Sequence, residues 1–139
     1  MRPVILDSEA VSTLARERSG RNLEICRQFL QAAKDEGVPV FVPAAVLQEQ
    51  YRGGKYTQAV DAFLSRYGDA LTIVPTDREL ARQAGALQGK LRLDSRHHVD
   101  AAIVAIAWRS GGAVILTSDP DDINLLATGL SGIKVVALA

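Results

Sequence analysis

The sequence predicts an α/β fold built on a largely parallel β-sheet. Three observations lead to this prediction. Short apolar runs, rich in β-branched residues, alternate with longer amphipathic segments, which is the pattern of repeated βα units. The apolar runs are continuous, as is typical of strands that are buried on both faces. Glycines follow several of the amphipathic segments, where a helix often ends in a left-handed residue.

The elements follow in order from this alternation. Five segments are predicted as strands, namely residues 3–6, 38–42, 71–74, 113–116 and 134–138. Seven segments are predicted as helices, namely residues 9–18, 21–36, 44–52, 56–67, 77–91, 99–110 and 121–127. Because every pair of successive strands is separated by at least one helix, most strand pairs are expected to be parallel.

Length and composition limit what this chain can be. With 139 residues, 47% of them hydrophobic, it can form one packed core, so we expect a single domain over residues 1–139. No segment has the roughly 20 continuous apolar residues of a membrane helix, and the first residues lack a signal-peptide pattern, so a cytoplasmic protein is expected. Cys26 is the one cysteine, which leaves no disulfide framework and no cysteine zinc site.

The charges of the chain balance overall, unless acidic residues are gathered in one site. The 16 Lys and Arg match 16 Asp and Glu, which alone does not indicate a nucleic-acid-binding protein. If a cation neutralised four carboxylates in one site, 16 basic residues would face the remaining 12 acidic ones. A mildly basic surface would then surround an acidic cavity.

Four acidic residues are predicted at one edge of the sheet. Asp7 directly follows the first predicted strand, and Asp119 follows the fourth. Asp100 begins a broadly apolar helix, where a solvated charge is not expected, and Glu49 is on the helix after the second strand. The carboxyl ends of neighbouring parallel strands form the crevice in which α/β proteins bind ligands. We therefore expect these four carboxylates to converge.

Each acid also has a purely structural interpretation. Asp7 and Asp119 suit the N-cap positions of the helices that follow them. Ser118 and Asp121 have the pattern of a capping box, and Asp100 would stabilise a helix N-terminus. The glutamate by itself is typical of a solvated helix residue. It is the joint placement of all four acids that favours a functional site.

A cluster of four carboxylates requires a compensating charge. Two like charges about 4 Å apart repel by roughly 4 kcal/mol at an effective dielectric constant near 20. Oxygen ligands without a cysteine or histidine cluster suit Mg²⁺ or Mn²⁺ and not zinc. Such an ion can generate hydroxide from water, orient a phosphodiester and stabilise the leaving oxygen. The cluster therefore predicts metal-dependent hydrolysis of nucleic acid.

Four segments of the sequence together resemble the PIN domain, and in particular the VapC-type toxins of bacterial toxin-antitoxin pairs. The segments each contain one of the acids and are VILDS from Val4, AVLQEQYRG from Ala45, VDAAIVAIA from Val99 and LTSDPDDI from Leu116. The likeness extends over essentially the whole chain. The order of the acids is more specific than any single segment.

The resemblance implies a three-layer α/β/α fold with a mostly parallel five-stranded sheet, and an endoribonuclease that depends on Mg²⁺ or Mn²⁺. It also implies a homodimer that takes RNA as its substrate and is inhibited by a small VapB-type antitoxin. By position, the family's acidic tetrad corresponds to Asp7, Glu49, Asp100 and Asp119, and its auxiliary groups correspond to Ser8, Ser118 and Asp122.

The mechanistic hypothesis assigns the metal ion to three of the acids. Asp7, Asp100 and Asp119 would hold the ion directly or through water. Glu49 would orient or deprotonate the attacking water. The products would carry a 5′-phosphate and a 3′-hydroxyl.

Other functions fit parts of the same sequence. A PIN-like nuclease that processes RNA outside a toxin-antitoxin pair would use the same chemistry, and a non-catalytic PIN-like binding module would have the same fold. A phosphatase with an aspartyl nucleophile or a receiver domain also places an Asp after the first strand. However, Asp7-Ser8-Glu9 lacks the second Asp of the phosphatase pattern, and Lys134 lies at the beginning of the last strand and not at its end.

Residues near the acids have less specific interpretations. His97 and His98 either contact an RNA backbone or are solvated at the start of a helix. Arg52 and Arg96 are placed to contact phosphates, although exposed arginines are common on any surface. Trp108 is assigned to the hydrophobic core.

Overall fold

A computed structural model, which describes all 139 residues, has the predicted α/β architecture. Its strands are β1 Val4–Leu6, β2 Val40–Pro43, β3 Leu71–Val74, β4 Ala113–Thr117 and β5 Ile133–Ala137. They form one sheet with the order β3-β2-β1-β4-β5, and every neighbouring pair is parallel. Each strand begins and ends within two residues of its predicted position.

Seven α-helices connect the strands, as predicted. They are α1 Ser8–Arg16, α2 Arg21–Glu36, α3 Ala44–Gln50, α4 Gly54–Tyr67, α5 Arg78–Lys90, α6 His98–Arg109 and α7 Pro120–Leu126. Short 3₁₀ turns at Gly68–Ala70 and Ser95–His97 precede β3 and α6. The ends of all seven helices also lie within two residues of their predicted positions.

Local sequence signals explain several helix ends. The carboxylate of Asp7 caps the first turn of α1, and Pro120 begins α7, where its missing N–H costs nothing. Gly37 ends α2 with φ 67°, a left-handed conformation that glycine adopts without a steric penalty. Its N–H donates to the carbonyl of Ala33 in the last turn.

The strand order explains why the molecule has three layers. From β1 the chain moves outward to β3, crosses back to β4 and moves outward again to β5. Because crossovers between parallel strands are right-handed, the helices α1 to α4 cover one face of the sheet and α5 to α7 cover the other. The contacts agree, since α1 packs against α2, α3 and α4, whereas α6 packs against α5 and α7. The three-layer fold is therefore confirmed.

The core is continuous through these layers. One hydrophobic cluster of 32 buried residues includes all of β1 and most of β4. These neighbouring strands lie where the order of the strands in the sheet reverses. Trp108 is not part of this cluster, contrary to the prediction, and 48% of it is exposed. The buried run of α6 ends at Ala107, and the last turn of the helix extends past the core. None of the helices combines the length and apolar character needed to cross a membrane.

Candidate active site

The four predicted acids line one small cavity at the carboxyl edge of the sheet, between the ends of β1 and β4. The cavity has a volume of about 100 Å³. Helices α3 and α6 close its sides. Its lining consists of Asp7, Ser8, Glu49, Arg96, Val99, Asp100, Ile103, Ser118 and Asp119. The fold thus brings together residues that are more than 100 positions apart in the sequence.

Asp7 is held at the base of this cavity by two backbone donors. Its side chain accepts from the backbone N–H of Ala10 at Oδ1 and from that of Ser118 at Oδ2, each over 2.9 Å. Asp7 is therefore a helix cap and a member of the acidic cluster at the same time. Burial raises the pKa of Asp7 above its usual value, and the charge of Asp119 raises it further, although the hydrogen bonds act in the opposite direction.

The side chain of Asp119 forms no hydrogen bond within the protein. The residue occupies the position before α7, but its side chain does not cap that helix. The cap interpretation of Asp119 is therefore wrong, and so is the capping box of Ser118 and Asp121, because α7 begins after Asp119 and not after Ser118. The carboxylate of Asp119 faces the cavity and solvent.

Thr117 is a site residue that the sequence interpretation missed. It is completely buried at the end of β4, and its Oγ1 accepts from the backbone N–H of Asp119 over 2.9 Å. The same hydroxyl group also hydrogen-bonds the side chain of Asp7 and so lowers its pKa. Thr117 is a positioning residue for both acids. The signal in the sequence was a polar residue that closes an otherwise apolar strand.

Asp100 experiences the mutual repulsion of the cluster most strongly. Its pKa is raised to about 7, first because of burial and then because of the negative charges of Asp119, Asp122, Asp7 and Glu49, in that order. Every neighbour that raises this pKa is a carboxylate of the site or of the first turn of α7. The cavity therefore has an uncompensated negative potential, which favours a bound cation.

Glu49 and the predicted auxiliary residues lie around the rim. The hydroxyl of Ser8 donates to Oε1 of Glu49, which links the first turn of α1 to the last turn of α3. Ser118 lines the cavity and also supplies its backbone N–H to Asp7. Asp122 is outside the lining and acts through its charge on Asp100 and on Arg96.

One basic side chain reaches the cavity. Arg96 is 82% exposed and pairs with Asp94 over 3.0 Å. His97 is turned inward, with 16% of its side chain exposed and its Nδ1 3.5 Å from Oδ1 of Asp94, so it is not a solvated residue. His98 is exposed and faces a second groove. One arginine does not balance four acids, so the cavity remains acidic.

Comparison with models of protein families shows which family this chain belongs to. The model of the PIN domain matches residues 4–127. The chain belongs to the PIN-domain family. Proteins of this family are in general nucleases, which makes the PIN domain described here a hydrolase of that kind. No curated protein sequence matches the chain.

Solved structures with the same PIN fold come from toxin-antitoxin complexes. The crystal structure of VapBC2 from Rickettsia felis, bound to a DNA fragment from its promoter, has a chain with TM-score 0.67 and 14% identity over 99% of both chains. A toxin-antitoxin complex from Klebsiella pneumoniae has a chain with TM-score 0.62 and 19% identity over 94% of both chains. The crystal structure of VapBC-5 from Mycobacterium tuberculosis has a chain with TM-score 0.55 and 17% identity, over 99% of this chain and 100% of that chain. At these identities the comparison shows the shared fold.

The donor set of this PIN domain fits a hard divalent cation. Carboxylate and hydroxyl oxygens face the cavity, and these are the ligands that Mg²⁺ and Mn²⁺ prefer. No three Asp, Glu, His or Cys side chains are arranged so that they could together hold an ion directly. The residues therefore fit an ion that is bound through one or two carboxylates and keeps several waters, as Mg²⁺ usually is.

Proposed function

We propose that this PIN-domain protein is a metal-dependent endoribonuclease and the toxin of a type II toxin-antitoxin pair. The observation that carries the proposal is the convergence of Asp7, Glu49, Asp100 and Asp119 on one acidic cavity. A phosphodiester is itself negatively charged, so such a cavity can receive it only with the help of a cation. Residues 1–139 would act as one nuclease domain.

The proposed roles follow from burial and hydrogen bonding. Asp7, Asp100 and Asp119 would hold a Mg²⁺ or Mn²⁺ ion, at most two of them directly and the rest through its waters. When bound, the ion supplies a hydroxide from water and stabilises negative charge on the leaving oxygen. Asp7 keeps its orientation because both of its oxygens accept backbone N–H groups.

Glu49 is the proposed acceptor of the proton from the attacking water. It is exposed at the rim, and the hydroxyl of Ser8 donates to it. That hydrogen bond fixes one carboxylate oxygen and leaves the other available for a water molecule. Ser118, in the loop before α7, donates its backbone N–H to Asp7. Asp122, on α7, adds negative charge near Asp100.

The partners proposed here are RNA as the substrate, a VapB-type antitoxin as the inhibitor and a second copy of the chain. Support for an antitoxin comes from the structures that share the fold, because they are toxin-antitoxin complexes. An acidic cavity is open to inhibition by a basic side chain of such a partner.

Cleavage of a labelled RNA mixture by two matched variants tests the nuclease. Asp119→Asn removes one charge from the cavity, whereas Asp121→Asn removes an exposed charge two residues away on α7. We expect the wild type and Asp121→Asn to cut RNA with Mg²⁺ or Mn²⁺ and not in EDTA. Asp119→Asn should be slower by about 100-fold or more.

Two results would contradict this function. Equal cutting in excess EDTA would exclude the metal-dependent mechanism. A folded wild type that cuts no RNA with either metal, but still binds RNA or a protein partner, would indicate a binding module.

A further inference from the structure

We propose that a groove beside the carboxylate cavity binds one nucleotide of a single-stranded RNA, next to the phosphodiester that is cut. This inference rests on the nuclease function proposed above. The groove lies between α3, α5 and α6 and has a volume of about 500 Å³. That volume is within the range of roughly 300–1,000 Å³ that is usual for small-ligand sites.

The groove adjoins the carboxylate cavity. Glu49 and Val99 line both of them. A polynucleotide whose phosphodiester lies at the carboxylates can therefore place a neighbouring nucleotide in the groove.

The groove carries one cationic side chain that suits a phosphate. It belongs to Arg52, which is exposed just after α3, and the exposed His98 lies nearby in the lining at the start of α6. Arg52 forms no ion pair within the protein, so its guanidinium is available for two parallel hydrogen bonds to phosphate oxygens. The groove therefore offers an unpaired guanidinium to a phosphate of an RNA strand that extends from the carboxylate cavity.

The inner part of the groove contains a fixed hydrogen-bonding group. Gln88 is 8% exposed, and its Nε2 donates to the carbonyl of Asp94 over 2.8 Å. This bond is the one side-chain hydrogen bond of Gln88 within the protein, and it fixes the amide with its Oε1 free to accept. A fixed acceptor of this kind suits the amino group of a base. Gln48 and Thr76 add further polar groups at the edges.

The floor of the groove is made of small residues of α5. They are Ala81, Ala84 and Gly85. Glycine is unfavourable inside a helix compared with alanine, yet a Cβ atom at Gly85 would meet no atom within 4 Å. Packing inside the protein therefore does not require a glycine at this position. A flat floor leaves space for the planar face of a base.

The composition of the groove favours RNA over a helix of a partner protein. Five of its 12 lining residues are hydrophobic, and the others include the unpaired Arg52 and the fixed Gln88. A groove that takes the apolar face of a helix is typically lined by larger hydrophobic side chains. A protein occupant remains an outcome of the experiment.

The test compares two phenylalanine substitutions on α5. Gly85→Phe fills the groove, whereas Ala86→Phe adds the same ring at an exposed neighbour outside its lining. Both are made in the Glu49→Gln background, which removes the proposed proton acceptor and keeps the three acids that would hold the ion, so that cutting is slowed while RNA and Mg²⁺ can still bind. The probe is a fluorescein-labelled, random-sequence, single-stranded RNA 12-mer with Mg²⁺, and its Kd is measured by fluorescence anisotropy.

We expect Gly85→Phe to raise the Kd about tenfold or more and Ala86→Phe to leave it unchanged. A third variant, Arg52→Gln, should reduce the slope of log Kd against log salt by about one, as the loss of one phosphate contact does. Thermal unfolding monitors the folding of each variant.

Equal Kd values for Gly85→Phe and Ala86→Phe, with an unchanged salt slope for Arg52→Gln, would overturn the proposal. So would loss of antitoxin binding by Gly85→Phe with intact RNA binding, because the groove would then hold a protein partner. The nuclease function is tested separately by the cleavage experiment, since binding of the 12-mer does not depend on catalysis.

Discussion

Each oxygen of the Asp7 carboxylate accepts one backbone N–H, from Ala10 on one side and from Ser118 on the other. The two bonds tie the first turn of α1 to the end of β4. The two carboxylate oxygens have four lone pairs, of which the Thr117 hydroxyl occupies one more, so a lone pair remains for a cation or a water molecule. Asp7 can therefore cap α1 and take part in the acidic site at the same time. Asp119 differs, because its side chain does not cap α7.

At Asp100, the substitution Asp100→Asn should stabilise the metal-free protein at alkaline pH. The folded state raises the pKa of Asp100 from 3.8 to about 7. Below pH 3.8 the residue is protonated in both states, and its contribution to stability is fully present. As the pH rises towards 7, only the unfolded state loses the proton, so that contribution is lost. Asparagine avoids this loss.

We expect Asp100→Asn to increase the free energy of unfolding by about 1–2 kcal/mol at pH 8, and not at pH 4. This is less than the whole shift in pKa would give, because solvent partly screens Asp100. Urea unfolding in EDTA across this pH range measures the difference, with Asp121→Asn as the control. A constant difference between the two variants and the wild type at every pH would contradict the prediction.

Among the elements, the strands and helices were predictable because their signals are local. Continuous apolar runs specify the buried strands, and residues such as Gly37 and Pro120 specify helix ends. The end of α3 at Gln50, two residues earlier than predicted, was not predictable in this way. Tyr51 is extended there, and its hydroxyl donates to Asp61 of α4 over 2.7 Å. That contact joins two helices and leaves no pattern in the sequence.

The candidate site was predictable to the extent that it depends on strand ends. Asp7 and Asp119 follow central strands, so their convergence follows from any parallel sheet in which those strands are neighbours. Thr117 was missed because its two hydrogen bonds depend on the turn after β4. Trp108 was placed wrongly because the sequence does not show where α6 leaves the core.

A glycine between α6 and β4 has a backbone conformation and close contacts that disfavour any larger residue. Gly112 has φ +119°, and a Cβ atom there would collide with the guanidinium of Arg2 and lie 2.5 Å from the carbonyl oxygen of Gly132. We expect Gly112→Ala to lower the free energy of unfolding by about 2–4 kcal/mol, from backbone strain and steric overlap together.

The neighbouring glycine is the matched control for this prediction. Gly111 has φ +77°, and a Cβ atom there would meet nothing within 4 Å. Gly111→Ala should therefore cost only the strain of a left-handed residue, about 1 kcal/mol. Urea unfolding compares the two variants, and equal losses of stability would show that the contact with Arg2 and Gly132 is unimportant.

On the scale of the whole molecule, the site lies where the order of the strands in the sheet reverses, between β1 and β4. The sheet grows outward from β1 to β3 and then from β4 to β5. Helices therefore leave the carboxyl ends of β1 and β4 on opposite faces, and a crevice opens between them. Acids from both halves of the chain meet in this crevice, so their repulsion acts directly between the two halves.

A divalent cation should therefore stabilise the whole fold. An ion that binds only the folded state adds about 2.7 kcal/mol to the free energy of unfolding when its concentration is 100 times its Kd. We expect Mg²⁺ or Mn²⁺ to raise the Tm of the wild type and of Asp121→Asn. The rise should be larger at pH 8 than at pH 5, because protonation of Asp100, whose pKa is about 7, opposes binding.

Sodium chloride at matched ionic strength separates binding from screening, which also weakens repulsion between carboxylates. Asp119→Asn should lose most of the stabilisation by Mg²⁺ and keep the response to sodium chloride. If sodium chloride raised the Tm of the wild type as much as Mg²⁺ does, the acids would be relieved by screening alone. The cavity would then have no specific cation, and the metal-dependent mechanism would lose its physical basis.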